Sequence, residues 1–179
     1  GSNKKVWWKC EKNHEWEANI YSRNSKKGSG CPICNRRGTS KPEQTLFFYI
    51  KKIFPKAINR YVLKKMELDI FIPEINIGIE YDGDYFHSKG RSVGSENKKN
   101  IFFENEGIKV FRMREKLLFN EHLKNGTFYK RNSIGNSNLD VDILNFFVFL
   151  ATQTNEKRFI KIDIDFERDD LLIEETISN

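Results

Sequence analysis

The chain has 179 residues, 38% of them apolar, enough to pack a small domain beside a modest one. No run approaches the ~20 apolar residues that cross a bilayer, and no secretory signal is present, so a membrane protein is not expected and a cytoplasmic setting, bacterial or phage, is. The net charge is +6, and residues 1–40 account for it: nine Lys or Arg against three Glu there, 22 against 22 in the remainder. A basic segment beside a neutral one suggests a polyanionic partner.

Residues 3–38 read as one region, rich in Cys, Trp, Lys and Gly and poor in aliphatics. All three cysteines fall here, an odd number that cannot close a disulfide set. Cys10-x3-His14 and Cys31-x2-Cys34 each have the short spacing of a zinc knuckle. Three thiolates and one imidazole complete a tetrahedron, and a module this small has too little core to fold without the ion. Trp8 and Trp16 flank the first pair and are expected as local core rather than base-stacking platforms.

After the linker at Arg37–Pro42, residues 40–179 show regular aliphatic and aromatic periodicity. Ser40-Lys41-Pro42-Glu43 predicts a capped helix start, with Leu46, Phe47, Ile50, Ile53 and Phe54 as its apolar stripe and Pro55 as its end. Strands are expected at Arg60–Val62, Leu68–Ile72 and Ile75–Asp82, a helix at Glu96–Glu106 closed by Gly107, and a strand at Ile108–Met113. Residues 119–140 read as a polar loop, Val141–Gln153 as an apolar helix, Phe159–Ile164 as a strand, and Glu167 onward as a final helix. This order predicts an α/β fold around a small mixed sheet flanked by helices.

Alternation in Ile75–Asp82 puts Ile75, Ile77, Ile79 and Tyr81 on one face and Asn76, Gly78, Glu80 and Asp82 on the other. If Leu68–Ile72 pairs with it through Pro73-Glu74, Asp69 approaches Glu80. Clustered carboxylates repel one another and are costly to desolvate, and a hard divalent cation removes that cost. Magnesium, with manganese as a substitute, can polarise a phosphate and activate water. His87 could move a proton nearby.

Two resemblances sharpen these expectations. Trp7-Trp8-Lys9-Cys10 through His14-Glu15-Trp16 to Cys31-Pro32-Ile33-Cys34 resembles the treble-clef zinc domains of the probable zinc-ribbon type, which implies a structural zinc on Cys10, His14, Cys31 and Cys34. Glu43, then Glu67-Leu68-Asp69-Ile70, then Ile79-Glu80-Tyr81-Asp82-Gly83-x3-His87 resembles the restriction-endonuclease-like PD-(D/E)XK fold, nearest its very short patch repair and homing endonuclease branch. The resemblance implies a magnesium-dependent DNA endonuclease. Asp69 would be the central ligand, Glu80 and Asp82 the rest of the metal face, Glu43 a second ligand or water-orienting acid, and His87 the general acid or base. Asp82 stands where that pattern has lysine, with Lys98 or Lys99 as a substitute from the helix, and Asn100 stands where an acid is frequent. The missing lysine motivates the alternative, a non-catalytic nucleic-acid binder on a degenerate nuclease fold. One active site per chain would need a homodimer or two successive nicks to break both strands.

Overall fold

The protein is seen here as a computed structural model that describes residues 4–11, 13, 15–24, 30–31, 40–83, 93–115, 127–133 and 136–178. In the first region β1 (Lys5–Lys9) pairs antiparallel with β2 (Glu15–Asn19), and Trp8 lies opposite Trp16. Alternation therefore puts these two rings on one face and Trp7 on the other. Trp16 is buried and Trp7 exposed. The short helix α1 (Ile20–Asn24) carries Arg23 over both rings, 5.5 Å from the Trp8 centroid and 5.6 Å from that of Trp16. Both tryptophans are thus used in packing, as expected.

The larger region opens with α2 (Lys41–Ile53). Ser40 Oγ accepts from the Glu43 N–H, and the Glu43 carboxylate accepts from the Ser40 N–H, which is the reciprocal cap the sequence predicts. Three strands follow as an antiparallel meander: β3 (Ile58–Leu63), β4 (Met66–Ile72) and β5 (Ile77–Asp82). Helix α3 (Val93–Asn105) then crosses over to β6 (Lys109–Arg114), which runs parallel to β5. Gly107, at φ 77°, supplies the left-handed residue that ends the helix. With β7 (Thr127–Lys130) beside β6, the sheet order is β3-β4-β5-β6-β7.

Each face of the sheet is covered. On one, Ile70, Ile72, Ile77, Ile79, Phe111 and Met113 pack against α2 and α4 (Leu139–Thr154). On the other, Leu68, Phe71 and Val110 pack against Phe103 of α3. A Cβ on Gly78 would lie 2.7 Å from Leu68 Cδ1, so the glycine lets β4 and β5 approach under α3. The chain closes with α5 (Phe166–Ser178).

Two expectations are corrected. The segment 119–140 is not all loop: Thr127–Lys130 forms β7, parallel to β6. Four residues are too few to show a period. The strand is held by its ladder to β6 and by Tyr129 packing on Phe146 and Phe149. Nor is Phe159–Ile164 a strand, because Lys157–Lys161 forms a 3-10 turn. Phe159 is drawn into the core between Phe54 and Phe147, at ring distances of 5.1 and 5.8 Å, and Glu156 caps the turn through the Arg158 N–H. Local alternation there yields to tertiary packing.

Candidate functional site

The β4–β5 ladder runs through Ile72↔Ile77, Phe71↔Gly78 and Ile70↔Ile79 and ends there; carried one step further, its register sets Asp69 opposite Glu80. There side chains take over from backbone pairing. The Asp69 N–H donates to Glu80 Oε1 at 3.2 Å, and the Tyr81 N–H donates to Asp69 Oδ2 at 2.8 Å. The strands part at this point, and each carboxylate satisfies an amide that the ladder leaves open. The side-chain alternation of β4 also shifts here: Leu68 joins the α3-side cluster with Phe71, while Ile70 faces the other way. Across from Asp69, between the pairs Asn59↔Ile70 and Tyr61↔Leu68, Arg60 takes a left-handed backbone, φ 52°.

Glu43 closes the group from α2. It is buried, with one carboxylate oxygen on the Ser40 N–H at 3.4 Å and the other accepting from Gln44 Nε2 at 3.3 Å. Burial, reinforced by the charge of Glu80, pushes its carboxyl up to about 7. Asp69 is raised well above the usual carboxylate range, first by desolvation and then by the charges of Glu80 and Glu43, with the Tyr81 N–H and Lys99 opposing. The charges of Glu80 and Glu43 thus act on Asp69, and that of Glu80 on Glu43, so the three acids share one field.

Lys99 of α3 points into that field, with its ammonium 2.6 Å from a Glu80 oxygen. Asp82 has a different environment. Its oxygens accept from Arg112 Nη1 at 2.9 Å and Arg114 Nε at 2.8 Å, and its side chain is 2% exposed. Arg112 also binds Asn100 Oδ1 and lies 3.5 Å from Glu80, while Arg114 pairs with Glu96. On the opposite face, fully buried Arg131 bonds the Tyr81 hydroxyl, Glu115 and Asp142. That ties β5 to β7 and α4.

The structure thus brings Glu43, Asp69 and Glu80 into one electrostatic group and gives Asp82 to two guanidiniums. His87 lies outside the described residues. Among the described residues no three His, Cys, Asp or Glu side chains converge as a complete metal cage. Asp69 and Glu80 are neighbouring carboxylates on paired strands, hard oxygen donors of the kind magnesium takes one or two of while filling its shell with water and phosphate. Arg60, Arg112, Arg114 and Arg131 were not singled out by sequence reading. The parallel register Glu80↔Arg112 and Asp82↔Arg114, which would have revealed two of them, is set by the crossover and not by local pattern.

In the first region Cys10 is half-buried and Cys31 buried. Asn13, at φ 63°, turns the chain just after Cys10, and its N–H donates to the Cys10 carbonyl at 2.9 Å. That tight return after a cysteine is what a zinc knuckle needs, and the soft thiolate chemistry of the donor set fits zinc. His14 and Cys34 lie outside the described residues.

Comparison with known proteins gives one family match, to a probable treble-clef zinc finger domain over residues 1–37. No curated protein matches the chain. Among solved structures, the catalytic domain of the homing endonuclease I-Bth0305I is similar at 14% identity and a TM-score of 0.38, with 69% of this chain and 97% of that one covered. That score is too low for the likeness to bear on function.

Proposed function

We propose that the chain is a metal-dependent DNA endonuclease of the PD-(D/E)XK type, with its active site at the parting of β4 and β5 and a zinc module that helps to hold DNA. The observation that carries this reading is the cross-strand bonding of Asp69 and Glu80, each carboxylate on an amide of the other strand, in the field of buried Glu43. Side chains that merely closed a sheet would not need three mutually repelling acids.

In this reading Asp69 and Glu80 hold magnesium, or manganese in its place. The bound ion supplies polarisation of the scissile phosphate and activation of water. Lys99 takes the place of the strand lysine, and its ammonium, carried on α3, stabilises charge that develops on the phosphate oxygens. Glu43, raised to about 7, is suited to accept a proton from water near neutral pH. Asp82 acts through others: it fixes Arg112 and Arg114 and so the end of β5. His87 keeps its proposed role as general acid or base. Cys10, His14, Cys31 and Cys34 hold a structural zinc, and the basic surplus of residues 1–40 engages the DNA backbone. A homodimer would give a double-strand break, whereas a monomer would nick.

One observation favours the second reading, a non-catalytic DNA binder. Lys99 already neutralises Glu80, so the acids could serve the fold alone. Plasmid DNA and branched or mismatched duplexes with magnesium or manganese separate the two. The nuclease reading expects cleavage by the wild-type chain and none by Asp69→Ala or Glu80→Gln. It fails if the wild type leaves every substrate whole, while salt-sensitive binding that survives loss of the acids would establish the binder.

A further inference from the structure

Among the described residues, seven non-glycine positions have a left-handed backbone: Asn13, Arg60, Lys64, Lys65, Asn76, Asn138 and Asn155. Four are asparagine, the side chain that tolerates this region best after glycine. The other three are all cationic, and all lie in the β3–β4 hairpin. Lys64 and Lys65, at φ 46° and 72°, form its two-residue tip, where a turn of this kind favours Asn-Gly. Arg60 sits in an edge strand directly across from Asp69. At each position the cheaper residue is absent and a positive charge is present.

The surroundings agree with an exposed cationic track. Arg60 is held by Glu67 (Nε to Oε1, 3.0 Å; Nη2 to Oε2, 3.4 Å). Lys64 is held by Glu106 at 2.7 Å. The Lys64 side chain is 65% exposed and that of Arg60 43%, and Lys65 is exposed as well. Both pairs face solvent, where screening weakens them, so a phosphate can compete with either carboxylate; the two-bond Arg60–Glu67 pair is the firmer of the two. The hairpin begins at the candidate active site and runs outward from it.

We infer that the β3–β4 hairpin is a DNA-backbone clamp, in which Arg60, Lys64 and Lys65 grip successive phosphates beside the one placed at Asp69 and Glu80. This rests on the nuclease reading for its partner, although its evidence is the backbone conformation of a separate set of residues. The clamp reads backbone charge, so it adds affinity without sequence preference.

The test replaces the three cations with residues that suit the backbone better: Arg60→Asn, Lys64→Asn and Lys65→Gly together, in the full chain. Binding to a labelled duplex is measured across about 50 to 200 mM salt with Asp69→Asn present to prevent cleavage. The thermal midpoint is measured alongside. The clamp predicts an equal or higher midpoint, affinity lower on the order of 100-fold, and a salt slope shallower by about 2 to 3. Unchanged affinity and slope, or an affinity loss that merely follows a lowered midpoint, overturns it. If the parent chain binds and cleaves DNA while the triple variant binds equally well, only the clamp fails. If the parent chain neither binds nor cleaves, the nuclease reading falls with it.

Discussion

Lys99 holds its ammonium 2.6 Å from a Glu80 oxygen, so the acid marked by its strand position as a metal ligand is already engaged with a cation. The lysine comes from α3, across the sheet face, and not from the strand itself. Replacing Lys99 with Ala should lower kcat by about 10²- to 10³-fold, the usual cost of removing one positioned charge at a transition state. Half-saturation by magnesium should stay the same or improve, because a competing cation leaves Glu80. A fall in magnesium affinity with unchanged kcat would instead make Lys99 a support for the ligand.

Asp82 separates two roles that the sequence leaves joined. Clasped by Arg112 and Arg114 in the interior, it should matter for stability before chemistry. Asp82→Asn leaves two buried guanidiniums short of a counter-charge, which costs about 3–5 kcal/mol. Urea unfolding reads that directly. A variant of wild-type stability that has lost cleavage would return Asp82 to the metal face.

Glu43 gives a pH signature. Its carboxyl is raised to about 7, chiefly by burial. A raised acid stabilises the fold while protonated, so its contribution is full below the ordinary value of 4.5 and is lost as pH climbs through about 7. Asp69 is shifted in the same direction. The melting temperature of the magnesium-free chain should therefore fall between about pH 5 and pH 7.5, and the fall should be smaller in Glu43→Gln, which keeps the capping box. Added magnesium should flatten the wild-type profile, because it favours the ionised acids. Equal slopes in both proteins would remove Glu43 from the shared field.

The zinc module can be tested apart from the catalytic acids. Metal analysis should give one zinc per chain, and Cys31→Ser should release it. That variant should bind DNA more weakly, with a shallower salt dependence, while the larger region keeps its own unfolding transition. Full zinc retention after loss of Cys31 would exclude the four-ligand set.

Much was legible in the chain because it is local. The capping box at Ser40 and Glu43, the alternation through Ile77–Asp82, and the knuckle spacings around Cys10 and Cys31 each lie within a few residues. Short-range sterics and periodicity decide such features wherever the segment ends up. The hairpin that would bring Asp69 to Glu80 was readable for the same reason. What the tertiary structure decided is which charge answers which. The parallel register of β5 with β6 brings Arg112 and Arg114 to Asp82, α3 packing delivers Lys99 to Glu80, and β7 with Arg131 braces Tyr81 from the far face. Those pairings join segments far apart in the chain, and no local pattern encodes them. An acid in a strand looks the same in sequence whether a guanidinium or a metal ion will neutralise it.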